Sequence, residues 1–270
     1  SMDALTTGIC NIAIGTNALG ASTTGCQNIA IGELALGTGT LACGGSGQAE
    51  GNIAIGESAL TVMTTGSNNI GIGLTAGDAL TVGTDNIAIG QLALSAATTN
   101  LDNIAIGRSA LAVTSADGDL NIAIGQAALG AGAVTGFNNI AIGIATMDAL
   151  TSGADNIAMG TNALTALNTG ICNVAIGKSA LGASTTGCVN VAIGELAMGG
   201  AVTTGSANIA IGQNAMDALT SGKCNVAIGQ SALGASTTGC LNIAIGELAM
   251  GVAVVVGKCN IAIGVSTMDA

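Results

Sequence analysis

The segment Asn-Ile-Ala-Ile-Gly at residues 11–15 returns at 28–32 and keeps returning to the end of the chain. The Asn that opens it stands at 11, 28, 52, 69, 86, 103, 121, 139, 156, 173, 190, 208, 225, 242 and 260. These 15 copies follow one another at a nearly constant short interval, lengthened once, between Asn28 and Asn52. A repeat this short constrains the fold more than any other feature. One unit has too little apolar surface to offset the entropy of ordering its backbone, so copies must stack and bury one another.

Inside each copy a β-branched residue, a small residue and Ile or Met follow the Asn, with Gly immediately after. Large and small side chains alternating with period two form a strand pattern, with the branched pair on one face and the small residue on the other. Eight residues after the Asn comes Leu or Met in 14 copies; Gly77 is the exception. Another Gly lies three residues before the Asn in 13 copies, and Asn100 takes that place in one of the others. Asn is the non-glycine residue that best tolerates a left-handed backbone, so this site is expected to need a positive φ. A helical alternative is disfavoured, since glycine every few residues costs about 1 kcal/mol each within a helix.

The expectation is therefore an all-β fold, a parallel β-solenoid of about 15 coils of 17–18 residues. It is read as a single domain over 1–270 with a Gly-rich loop insertion at 37–51. At about 4.8 Å per coil the stack would be roughly 70 Å long. Its interior is expected to hold ladders typified by Ile12, Ile14 and Leu19 in the first coil and Ile29, Ile31 and Leu36 in the second. Asn11, Asn28, Asn52, Asn69 and Asn86 begin an Asn ladder bonding coil to coil, in preference to a row of amides open to a linear ligand. The row of small residues at the strand centres is expected to suit close approach of a second chain, because so thin a column is near break-even alone.

Composition removes several functions. The chain has no His, Pro, Trp or Tyr, one aromatic residue (Phe137), and 15 Asp or Glu against 4 Lys or Arg. Nucleic acid binding needs a basic stripe that Arg108, Lys178, Lys223 and Lys258 do not make. Polar residues and glycine interrupt each apolar stretch well before the roughly 18 residues of a membrane span, so no membrane insertion is expected. Without His there is no Ser-His-Asp or Cys-His arrangement, and no enzyme activity is expected. No Cys-x-x-Cys pattern, calcium-roll motif or dinucleotide glycine spacing is present, so no metal site and no cofactor are expected.

The "NIAIG" and "NVAIG" segments followed by "SAL" resemble the head repeats of trimeric autotransporter adhesins, the YadA-like heads, and related repeats in phage and viral tail fibres. The resemblance runs over essentially the whole chain. It implies a left-handed β-roll in a parallel homotrimer, extracellular on a cell surface or virion, with any host receptor bound by a tip outside this chain. The coils here are longer than that family's usual repeat, and the Ser between the Asn and the first branched residue is missing. The function expected is a structural extracellular fibre or fibre shaft, an adhesin-like rod.

Seven of the eight cysteines lie one or two residues before the motif Asn. Cys10 with Cys26, Cys172 with Cys188, and Cys224 with Cys240 fall on neighbouring coils, close enough for coil-to-coil disulfides. Half-buried free thiols are the alternative. Acidic residues such as Glu33, Glu57, Glu195, Asp85, Asp102 and Asp155 are expected to form a solvated face. "TTG" recurs at Thr6, Thr23, Thr64, Thr185, Thr203 and Thr237, giving a second functional reading as an ice-binding or other ligand-binding face. Against it, adjacent Thr residues on a strand would point opposite ways. The sequence begins and ends within a repeat, so further repeats or end-to-end stacking into a filament are expected.

Overall fold

The computed structural model describes residues 1–41, 49–114, 118–252 and 255–268. Much of the expected loop insertion, including Cys43, therefore lies outside the described residues. The chain forms two compact units, Ser1–Phe137 and Asn138–Ala270. Each is a parallel β-solenoid, and no helix occurs among the described residues.

Every repeat contributes one three-residue strand. The first unit runs from β1 (Ile12–Ile14) to β7 (Ile122–Ile124), the second from β8 (Ile140–Ile142) to β15 (Ile261–Ile263). Within a unit, successive strands pair in parallel with like motif positions aligned, as Ile12 with Ile29 and Val174 with Val191. The longer interval between Asn28 and Asn52 keeps this register, since Ile29 still pairs with Ile53. Backbone stacking continues through the turns: Leu19 N–H donates to Ala35 O at 3.0 Å, and Leu181 N–H to Ala197 O at 2.9 Å.

The interior differs from the ladder expected from sequence. The central small residue points inward: Ala30, Ala54, Ala105 and Ala175 are fully buried. The flanking branched residues point outward, with Ile12 and Ile14 exposed and Ile29 and Ile31 half-buried. Leu19 and Leu36 are fully buried, as are the alanines just before them, Ala18 and Ala35. Alternation requires the Ile pair and the Ala to lie on opposite faces but does not choose between them. A closed coil this short, already holding an Asn and a Leu, has room on its strand side only for a methyl group. Coil four is an exception that explains itself. A Cβ on Gly71 would meet Leu60 Cγ at 2.8 Å, and one on Gly77 would meet Leu60 Cδ2 at 2.8 Å and Leu80 Cδ1 at 3.1 Å. Two larger neighbours fill the space that these glycines leave.

The corners also differ from expectation. The left-handed positions are the residue before the Asn and the sixth and eighth after it, for example Cys172, Ser179 and Leu181 at φ of 57°, 55° and 49°. A left-handed backbone costs a non-glycine residue roughly 1–2 kcal/mol, and here coil-to-coil hydrogen bonds and burial of the Leu hold it in place. The glycines three residues before the Asn, and Asn100, lie outside the left-handed region. Close approach is what they satisfy: a Cβ on Gly153 would lie 2.5 Å from Gly170 O and 2.7 Å from Leu150 Cδ1. Asn100 is buried there, its Nδ2 donating to Gly118 O at 3.1 Å.

The glycine after each strand has a positive φ as well as a close neighbour. Gly177 sits at φ 134°, and its Cβ would fall 2.5 Å from Gly194 O. Gly177→Ala is therefore expected to destabilise the fold by about 3 kcal/mol or more, measured as a shift in the urea unfolding midpoint. A loss below about 1 kcal/mol would show that the backbone there relaxes freely.

Candidate functional site

Asn173 represents the Asn column. Its Nδ2 donates to Gly187 O at 2.8 Å and to Asn156 Oδ1 at 3.0 Å. Its Oδ1 accepts Asn190 N–H at 3.0 Å and Asn190 Nδ2 at 3.3 Å. The first members behave alike: Asn28 Oδ1 accepts from Asn52 N–H, Asn52 Oδ1 from Asn69 N–H, and Asn69 Oδ1 from Asn86 N–H. Asn11, half-buried, donates through Nδ2 to Gly25 O and accepts Asn28 N–H. From Asn28 to Asn242 these side chains are fully buried. Their polar atoms join one coil to the next.

The outward strand face is the most unusual surface. Ile12 and Ile14 are 50% and 60% exposed, and deep within the second unit Ile176 and Ile193 are still 38% and 36% exposed. Each strand thus presents two apolar side chains, repeated at the coil spacing and uninterrupted by charge. Soluble monomers seldom expose a continuous apolar strip of this kind, and such strips mark interaction surfaces. Polar columns flank it in the chain. Beyond the corner glycine stand Glu33, Glu57 and a Lys178–Glu195 pair at 3.5 Å; before the Asn stand Asp85, Asp102 and Asp155. An apolar centre with a polar rim is the composition of an interface.

The cysteines depart from the expected staples. Cys10, Cys26, Cys172, Cys188, Cys224, Cys240 and Cys259 are all free thiols. Each expected pair joins two different columns. Gln27 N–H donates to Ile9 O at 2.9 Å, which places Cys26 level with Ile9 and Cys10 level with Gln27. Cys10, Cys172 and Cys224 are also left-handed while their intended partners are not, so the two Cβ directions differ.

The Thr residues lie in turns, where the strand rule of opposite directions does not apply. Thr6 and Thr7 are both exposed, as are Thr98 and Thr99. One rank is engaged along the axis: Thr64 Oγ1 donates to Thr81 O, and Thr81 Oγ1 to Thr98 O, each at 3.0 Å.

A feature not anticipated from sequence is a column nine residues after the Asn. Asp78, Asp148 and Asp217 recur there in "DALT" segments, each with a buried Oδ1 that has no partner. The recurrence of "DAL" was the available signal. Burial pushes the Asp78 carboxyl above its ordinary range, opposed by a hydrogen bond from its own backbone. A raised folded-state value means that the group favours the fold when protonated, and that this contribution is lost as pH rises through the folded pKa. Asp78→Asn is therefore expected to raise the melting temperature at about pH 7, with the gain vanishing below about pH 3, where both states are protonated. An equal gain at both pH values would show that the charge is not the cause. In the second unit, two grooves of about 330 and 290 Å³ have the same construction three coils apart, around Ser179, Gly182 and Gly199 and around Ser231, Gly234 and Gly251, the second also lined by Asp217.

No protein-family model matches this chain, and no curated protein matches it. Its function is therefore argued from its surfaces.

Proposed function

We propose that this chain is a structural fibre segment whose outward isoleucine face is covered by other copies of itself, in a parallel homotrimer outside a cell or on a virion. The observation that carries the reading is the two-rank Ile strip. A partner that covers it must offer apolar groups at the same repeat along its whole length, and a second copy in parallel register does so. The resemblance of "NIAIG" and "SAL" to trimeric adhesin heads and tail fibres points the same way. The sites for a receptor would then lie outside this chain, and the chain itself would act as a spacer.

Sedimentation equilibrium tests this directly. A species near three times the 25.4 kDa chain mass is expected; a monomer at micromolar concentration would refute the trimer. Electron micrographs of the same sample should show elongated particles.

A second reading, ice binding, is favoured by one observation: both residues of the Thr98–Thr99 pair, like those of Thr6–Thr7, are exposed, although Thr64, Thr65 and Thr81 between them are half-buried. Thermal hysteresis of the purified chain is the discriminating measurement, and freezing behaviour equal to that of an ordinary protein at the same concentration removes the reading.

A further inference from the structure

Two basic residues, Arg108 and Lys178, stand beside the outward isoleucine strip, each five residues after the Asn and just past the corner glycine. Lys178 meets Glu195, on the next coil of the same chain, at 3.5 Å. Arg108 has no acid in either neighbouring place. Ser109 N–H donates to Gln91 O at 2.9 Å and Ala127 N–H to Arg108 O at 3.0 Å, so Gln91 and Gln126 are level with it on the coils before and after. Among the described residues Arg108 enters no ion pair.

The opposite rim of the same strand holds the missing acid. Asp102 lies just before Asn103, ahead of β6 (Ile104–Ile106), and Arg108 lies beyond it; both are exposed. At the place of Asp102 on the coil of Lys178 stands Cys172. Where the basic residue is satisfied within the chain, the other rim therefore carries no carboxylate, and where it is unsatisfied the other rim carries one.

Rotation about an axis parallel to the stacking direction keeps each coil of every copy at one height. With the isoleucine faces turned towards that axis, the end of each strand meets the start of its neighbour's. We propose that Arg108 of one copy pairs with Asp102 of the next, three such pairs closing this level of the trimer. The inference rests on the homotrimer proposed above and specifies how its copies meet. Guanidinium and carboxylate can pair through two parallel hydrogen bonds. At the rim of an apolar interface such a pair fixes orientation and register more than it adds affinity.

The test uses the full chain carrying Arg108→Lys, which keeps the charge and supplies an amine. A zero-length carbodiimide then joins amines to carboxylates in direct contact. Lys178 with Glu195 is the internal control, because that link forms within one chain. Denaturing electrophoresis is expected to show bands at two and three times the chain mass, and peptide mass mapping of those bands a link from position 108 to Asp102. Adding Asp102→Asn should abolish that link and leave the control link intact. A sample that sediments as a trimer but links position 108 to a different acid, or yields only the control link, would overturn the pairing and leave the trimer standing. A sample that sediments as a monomer would overturn both.

Discussion

Replacing Ile176 and Ile193 together with Asp is expected to leave each chain folded and to abolish the proposed trimer. The two side chains are opposite one another on paired strands and point outward. Their removal therefore takes little from the coil interior, and far-ultraviolet circular dichroism should be unchanged. In a trimer closed around such faces, two carboxylates per chain would be buried without partners, at a cost of several kcal/mol each. The expected readout is a shift from the trimer mass to the monomer mass by sedimentation. A double variant that stays trimeric would move the interface away from this face, and one that unfolds as a monomer would show that the Ile pair supports the coil itself.

Asn173→Leu is expected to have the largest effect on stability, about 4 kcal/mol, because each buried polar group left unpaired costs about 1–3 kcal/mol. Leucine removes the amide that links Asn156 Oδ1, Gly187 O and Asn190 N–H. Asn11→Leu makes a useful comparison, because Asn11 is half-buried and bonds only to the coil that follows it. It should cost about half as much or less, since water reaches the groups that it abandons. Urea titration of both variants measures the difference. Equal losses would mean that the column acts through side-chain volume and not through its hydrogen bonds.

Much of the fold was legible in the repeat. The spacing of the Asn residues set the number of coils, the alternation set where each strand lies, and the glycine after it marked a corner that Gly177 occupies at φ 134°. Even the lengthened interval after Asn28 left the register intact, because β2 (Ile29–Ile31) and β3 (Ile53–Ile55) still align residue for residue. These are properties of a chain read along its length, where period and interruption carry the information.

The surfaces were legible only in part, because they depend on how the coil closes. The exposed Thr98 and Thr99 pair escaped the strand rule since it sits in a turn. Cys224 and Cys240 are close in coil number but lie in columns offset by one residue, and only the stacked backbone shows which side chains share a level.

The sequence by itself determined that identical units stack in register and that the Ile pair and the Ala lie on opposite faces of every strand. Only the tertiary structure decided which face is inside, placing Ala175 in the core and Val174 and Ile176 outward. The reason is volume. Alternation is symmetric between the two faces, and the symmetry is broken only when a coil of fixed circumference closes around an Asn and a Leu that already fill most of its interior.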